Sequence, residues 1–473
     1  MPMEQQKDSA YIRNLQLINN LFGKETDTES QWSKLPGRIL IISNSKSVQS
    51  ENGQYAFCMA LNLLCRLYPI VTEIGLLITK SSIFTVNTPL FAKGAVVDSV
   101  NKFICNLKPD CQVKFLDKLS DDWDATLSIG VSQQEKNVIS ISSDGWTAYI
   151  SPNNDVPEFS TKTNAIGAYV ASCIGGMEVF KKVMLKKINF ITPEKSEYDI
   201  RWQLRLLDEK LQFSAFDYKV DGSYNPDLPR AIDLGKVHVF GVGAGGGAAM
   251  FTIASLSQLT NGNVNLFDPD VIKPSNLNRC IFATRQHVEL PKVEVIKNMF
   301  DAFPTLQVNA KQTSYQKLSS EGGDSNIDLL ISTVDTKDTR RALQWSLPRV
   351  ILDAAVLLTN FYVRRIRIGI DPCFSCTHTE EEATSLNAII SKVTCLPLND
   401  VIELRSTNAR FTEDQLRTML ENSKRYGFTM PSINDRFSDW CIMHCSQLKL
   451  PNEERVPLPF AAVLAGVLIA GEV

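Results

Sequence analysis

The same succession of apolar strands and helices runs through this chain twice, and that repetition restricts the fold more than any single motif. In the first half the β-rich run Arg38–Ser43 leads into a helical stretch over 55–67. Runs at 71–78, 125–131 and 138–142 then read as buried strands, and 164–184 reads as a long closing helix. In the second half 237–240 leads into a helix, followed by strands at 264–268, 329–334 and 350–353 and a closing helix over 460–473. Matching positions keep nearly constant spacing: Ile39 to Val237 is 198 residues, Asp124 to Asp328 is 204, Val138 to Val350 is 212 and Glu178 to Glu472 is 294. Small drift followed by one jump is the mark of an internal duplication whose second copy carries an insertion before its last helix. Alternating strands and helices imply parallel sheets, so the expected class is α/β with two doubly wound domains and a small helical insert. The expected boundaries are 1–195 for the first domain, 196–235 for a connector and 236–473 for the second domain, with the insert at 371–450.

A length of 473 residues leaves room for this plan, and 44% hydrophobic with 21% charged residues is ordinary for a globular chain. The formal charge of −3 supplies no basic field for nucleic acid. No apolar run reaches the ~18 residues of a membrane span, and the polar start at 1–7 lacks the features of a signal peptide. Eleven cysteines, an odd number, point to a reducing cytoplasm, where close pairs of cysteines serve metal or catalytic chemistry. A polar helix is expected over 11–22.

The second copy carries Gly241-Val242-Gly243-Ala244-Gly245-Gly246-Gly247 between its first strand and a helix. Gly241, Gly243 and Gly246 form G-x-G-x-x-G in the setting where backbone N–H groups and a helix N-terminus receive a phosphate. The motif does not separate a dinucleotide cofactor from ATP. The first copy has Ser43-Asn44-Ser45-Lys46-Ser47 at this point, so no phosphate cradle is expected there.

Downstream come Leu266-Phe267-Asp268-Pro269-Asp270, Ser275-Asn276-Leu277-Asn278-Arg279, Pro291-Lys292 and Ser332-Thr333-Val334-Asp335, then Arg340. With this succession the chain resembles the ubiquitin-activating and ThiF/MoeB adenylating superfamily, strongly over 236–369. The resemblance implies that the sheets belong to two Rossmann-like adenylation domains, the first inactive and the second active. It implies Asp268 at the ATP ribose, Asn276, Arg279 and Lys292 at the triphosphate, and Asp335 on magnesium. The chemistry is coherent by itself: activating a carboxylate with ATP needs cations, a metal ligand and no general base. Family members also borrow an arginine from the partner domain through Y-x-R-Q. Tyr11-Ile12-Arg13-Asn14 matches except at its last position, which makes Arg13 the candidate. Tyr198-Asp199-Ile200-Arg201 opens the second copy similarly.

Five cysteines lie between the last strand and the closing helix. In the family, Cys373-Phe374-Ser375-Cys376 would begin a structural zinc site, completed here by Cys441 and Cys445, with His444 as a substitute ligand. The second pair precedes the closing helix, whereas family members place it after. Cys395, in Val393-Thr394-Cys395-Leu396-Pro397, stands where the ubiquitin-activating branch carries its thioester cysteine; Cys441 and Cys445 are the other candidates. A capped amphipathic helix is expected over 411–426, with Thr412 and Gln415 as a capping box.

The resemblance implies activation of the C-terminal carboxylate of a ubiquitin-like protein by ATP and magnesium, thioester formation, and delivery to a conjugating enzyme. It implies an internal pseudo-dimer that can act as a monomer, in a bacterial conjugation system of the kind found in antiviral operons. Other readings are a sulfur-carrier or peptide adenylating enzyme without a thioester, a nicotinamide- or flavin-dependent oxidoreductase on the same glycine loop, and a non-catalytic scaffold.

Overall fold

The computed structural model describes residues 14, 35–119, 123–131, 137–191, 204–315, 326–357, 360–377, 386–426, 428–444 and 459–473. Of the helix expected over 11–22 only Asn14 is among them, and it is helical. Arg13, Tyr198 to Arg201 and Cys445 lie outside.

The first lobe opens with β1 (Arg38–Ser43), whose Ile39, Leu40 and Ile41 are wholly buried, as a central strand covered on both faces requires. Then follow α1 (Ser45–Gln49), α2 (Glu51–Leu64), β2 (Glu73–Leu77), the short pair β3 (Ile83–Phe84) and β4 (Gly94–Ala95), α3 (Val96–Leu107), β5 (Gln112–Phe115), β6 (Ala125–Ile129), β7 (Val138–Asp144), β8 (Thr147–Ser151), α4 (Ala165–Ile191) and β9 (Leu211–Ser214). The sheet runs β5-β2-β1-β6-β7-β8-β9, parallel as far as β7 and antiparallel beyond.

The second lobe comprises β10 (Ile232–Phe240), α5 (Ala244–Ile253), β11 (Leu259–Phe267), α6 (Lys292–Asn298), β12 (Leu306–Lys311), β13 (Leu329–Ser332), α7 (Lys337–Leu343), β14 (Val350–Leu357) and β15 (Asn360–Arg367). Its sheet, β12-β11-β10-β13-β14-β15, repeats the first in order and in direction. The repetition extends to single bonds. Ile39 lies opposite Ala125 and Val237 opposite Leu329, reproducing the offsets of 198 and 204. The Arg38 N–H donates to Asp124 at 2.8 Å, and the Lys236 N–H donates to Asp328 at 3.0 Å.

Two expectations shift. Thr126 faces Val138 but Leu330 faces Ile351, so the counterpart of Val138 is Ile351 rather than Val350. A strand buried on both faces has no alternation to mark its register, and neighbouring apolar residues cannot be told apart by pattern. The segment 196–235, read as a connector, also supplies edge strand β9 and the first residues of β10.

Between β15 and the closing helix the chain forms a second compact unit, Phe374–Arg455, containing α8 (Phe374–Thr377), α9 (Leu386–Thr394), α10 (Leu398–Thr407), α11 (Glu413–Tyr426) and α12 (Phe437–His444). Its own core centres on Trp440, which meets Phe411 edge-on at 5.5 Å and Phe428 at 5.9 Å. The capping box of α11 is present: the Thr412 N–H donates to the Gln415 side chain at 3.0 Å and the Gln415 N–H to the Thr412 hydroxyl at 3.3 Å.

The chain then returns to the α/β body as α13 (Pro459–Glu472), which starts 294 residues after α4, the spacing already marked by the glutamates. Nearly every side chain of α13 is buried, because it packs on α5, α4, β14 and β15 together. Among the described residues no helix is long and apolar enough to cross a membrane. A Cβ added to Gly466 of α13 would lie 2.3 Å from the Gly245 carbonyl oxygen in α5. Gly466→Ala is therefore expected to cost about 2 kcal/mol or more, read as a lower urea midpoint; an unchanged midpoint would mean that the two helices separate freely.

Candidate active site

The glycine loop lies at the carboxyl end of β10, where ligands of parallel sheets are held. Gly241 has φ +82°, a left-handed conformation that favours glycine. A Cβ on Gly246 would come within 2.1 Å of the Gly241 carbonyl oxygen, so the third glycine lets α5 start close against the strand. A Cβ on Gly243 would meet nothing within 4 Å: here the loop borders open space beside the first turn of α5. The Thr333 hydroxyl donates to the Gly241 carbonyl at 2.5 Å, tying the end of β13 to the loop.

Asp268, one residue beyond β11, braces the loop from the other side. Its carboxylate accepts the Val242 N–H and the Asp270 N–H, each at 2.9 Å. Lys292, at the start of α6, places its ammonium 2.7 Å from Asp270 and 3.8 Å from Asp268. Burial raises the Asp268 carboxyl above the ordinary carboxylate range, with Lys292 and the two N–H donors opposing. For Lys292 burial acts downward, but Asp268 and Asp270 together outweigh it and the ammonium is raised. The pair thus keeps a protonated lysine beside the open loop. Asp270 was quoted in the sequence pattern without a role; its signal is the acid two residues after the strand-end aspartate.

Asn276 points inward, where its side chain accepts the Lys273 N–H at 2.9 Å and closes the turn that presents Arg279. The Arg279 guanidinium folds back on the Ser275 carbonyl at 2.8 Å and the Asn278 side chain at 3.0 Å. Asp335 is exposed in the loop after β13. Next to it, the Val334 carbonyl accepts from Arg340, which also pairs with the fully buried Asp353. The Tyr362 hydroxyl donates to Asp353 at 3.0 Å, and burial followed by the Asp353 charge pushes this phenol up to about 12. Arg340, quoted with the T-x-D run, therefore anchors the Asp335 loop from within.

Among the described residues, the first lobe lacks the glycine loop and the strand-end acid at the matching places. Asn44 caps α1 by accepting the Ser47 N–H at 2.8 Å, and a Cβ added to Gly130 would lie 2.2 Å from the Ser47 hydroxyl. By strand register the counterpart of Asp268 is Ile78, which is buried. What the first lobe does contribute is Arg66. Its side chain is buried and donates to three carbonyls of the second lobe, at Leu277, Ile281 and Ala283. Asn14 lies at the same seam: its amide donates to the Arg66 and Tyr68 carbonyls, and its oxygen accepts from Asn278 at 3.2 Å. Sequence reasoning missed Arg66, although an arginine inside an otherwise apolar run is a usable signal.

In the separate cysteine-bearing unit, Cys395 follows α9, is exposed and has φ +62°. The Asn422 side-chain amide of α11 donates to its sulfur at 2.8 Å. Cys441 is buried, and burial pushes its thiol up to about 12. Among the described residues no three His, Cys, Asp or Glu side chains are gathered to hold a metal, and Cys445 lies outside those residues.

The ThiF family profile matches residues 223–470, more than half of the chain. The chain belongs to the ThiF family. A second profile, the BilD N-terminal domain, matches residues 38–189, which is the first lobe up to the end of α4. An uncharacterised protein of Sinorhizobium fredii, y4jF, is 24% identical over 321 residues, covering 67% of this chain and 55% of the relative. The chain thus spans little more than half of that relative's length. The ThiF match encloses the glycine loop, Asp268, Asn276, Arg279, Lys292, Asp335 and the cysteine-bearing unit, whereas Arg66 falls within the BilD match.

The Lys292 pair in this ThiF site yields a pH-dependent prediction. Lys292→Met leaves Asp268 buried without its cation and is expected to destabilise the chain by roughly 3 kcal/mol at neutral pH. The loss of Lys292 moves the folded-state pKa of Asp268 still higher, so the extra cost fades as pH falls and that carboxyl takes up a proton. Urea unfolding at pH 7.5 and 4.5 checks this; a penalty that does not depend on pH would remove the charge coupling.

Proposed function

We propose that the chain uses ATP to adenylate the C-terminal carboxylate of a ubiquitin-like protein, holds the acyl group as a thioester on Cys395 and passes it to the cysteine of a conjugating enzyme. The observation that carries the adenylation half is the open glycine loop at α5 with Lys292 held protonated beside it, inside a ThiF-family sheet. In this reading the loop amides and the N-terminus of α5 take the phosphates, and Arg279 and Lys292 neutralise them. Asp335, an exposed carboxylate on an anchored loop, would hold a magnesium ion, which would supply further positive charge to the phosphates. A carboxylate oxygen of the substrate attacks the α-phosphorus, and the bond to the pyrophosphate oxygen breaks. Since the nucleophile is already anionic, no general base is required. Arg13 is the cation expected from the first lobe, and the contact of its chain neighbour Asn14 with Asn278 supports that role. The first lobe, lacking the loop and the acid, serves as the inactive partner.

The thioester half rests on Cys395. Its thiol first loses its proton to solvent, the sulfur attacks the acyl carbonyl, and the carbon–oxygen bond to AMP breaks as AMP leaves. The exposure of Cys395 and the Asn422 amide at 2.8 Å support this choice over the buried Cys441. A bacterial conjugation system is supported by the bacterial origin of the relative.

ATP–pyrophosphate exchange with a panel of ubiquitin-like proteins ending in glycine tests the reading. Exchange in wild type and in Cys395→Ala is expected, with a thiol-sensitive protein adduct in wild type only. Full product formation by Cys395→Ala would replace the proposal by activation without a thioester, and no exchange with any carboxylate would point to a scaffold. Zinc on Cys373, Cys376, Cys441 and Cys445 is a separate proposal, since the described residues assemble no such tetrahedron. One zinc per chain, lost in Cys373→Ser, is the expected result of elemental analysis; a metal-free wild type removes zinc from the reading.

A further inference from the structure

We infer that Arg66 of the first lobe is a positioning residue for Arg279, so that the lobe without a nucleotide loop is part of the machinery that grips the triphosphate. The inference rests on the reading of Arg279 as a phosphate cation. Arg66 lies two residues past α2 and is 2% exposed. Its Nη1 donates to the Leu277 carbonyl at 2.7 Å, and its Nη2 donates to the carbonyls of Ile281 and Ala283, each at 3.0 Å. Leu277 and Ile281 stand two residues to either side of Arg279. The guanidinium thus holds the backbone on both flanks of the residue it would position.

The guanidinium is itself oriented. Asn62, one turn earlier, accepts from Nε at 3.0 Å and from Nη2 at 2.8 Å through its side-chain oxygen, while its amide donates to the Ile281 carbonyl at 3.0 Å. Asn14 adds a third tie, joining the Arg66 carbonyl to Asn278, the neighbour of Arg279. A planar fork of donors can satisfy three carbonyls in different directions, whereas an ammonium is a point charge that cannot reproduce the pattern. Buried carbonyls stripped of such a donor pay their full desolvation cost, so the loop would relax toward water and carry Arg279 with it. Arg66 reaches backbone rather than the open space at Gly243, and for that reason it positions the loop rather than touching the reacting atoms.

The test is equilibrium binding of magnesium-ATP and of AMP to the full chain, for wild type, Arg66→Lys, Arg279→Ala and the double variant. AMP lacks the phosphates that Arg279 would hold, so selective loss of ATP separates positioning from general damage. Arg279→Ala is expected to weaken ATP about tenfold, the size of one charged hydrogen bond, with AMP unchanged. Arg66→Lys should show the same selective loss, and the double variant should bind ATP no more weakly than Arg279→Ala alone. Equal loss of ATP and AMP, wild-type ATP binding by a folded Arg66→Lys, or losses that multiply in the double variant would each overturn the inference. Indifference of ATP to Arg279→Ala would overturn the phosphate role beneath it and this inference with it, whereas absence of ATP binding by wild type would overturn the adenylation proposal as a whole. If Arg66→Lys does not fold, hydrogen exchange in wild type decides. The amides of Cys280 and Ala283, bonded to Asn276 and Cys280, should exchange slowly and more slowly still with ATP; rapid exchange in both states would overturn the inference.

Discussion

Everything in the α/β body depends on the close approach of α13 to α5 and α4. A helix that is apolar on all sides can be buried only if other elements surround it. Here the surfaces of two lobes and the strands β14 and β15 supply that environment. The contact requires small residues where backbones meet: Gly466 lies against Gly245, and Gly176 of α4 lies under the ring of Phe460. Since Gly245 lies in the first turn of α5, directly after the glycine loop, the packing that joins the lobes also fixes one wall of the open space beside Gly243.

A second layer of constraint is polar. Side chains just past the carboxyl ends of β11 and β13 bond to the loops, Asp268 to Val242 and Thr333 to Gly241, and Arg340 of α7 bonds to Val334. These ties hold the loops around the open space beside Gly243. Across the lobe boundary Arg66 and Asn62 each donate to backbone carbonyls of the opposite lobe.

Much of the architecture was legible because duplication leaves marks that survive divergence. The aspartates at 124 and 328 keep their spacing, and each accepts a backbone N–H of a central strand, that of Arg38 in β1 and that of Lys236 in β10. The register of β7 against β14 was read one residue off, for a strand buried on both faces offers no pattern to count. At the site, the glycines were legible from their G-x-G-x-x-G spacing and Asp268 and Lys292 from the resemblance to the adenylating superfamily, and the structure gives them adjoining positions. The inward role of Asn276, whose side chain accepts the nearby Lys273 N–H, was hidden by its place in the N-L-x-R run, and the importance of Arg66 was not legible because it depends on which distant carbonyls lie nearby. Arg66 reaches residues more than two hundred positions away, and no local pattern encodes such a partner.

The place of α13 in the chain has a consequence for biogenesis. The helix around which both lobes close is synthesised only after the whole of Phe374–Arg455. Sheets and loops of the two lobes therefore leave the ribosome with their shared apolar faces still uncovered, while the intervening helical unit, with its own core, can already close. The chain must keep an unfinished interior apart from other hydrophobic partners until its keystone helix appears, and its dependence on chaperones should follow the delay that the insert imposes.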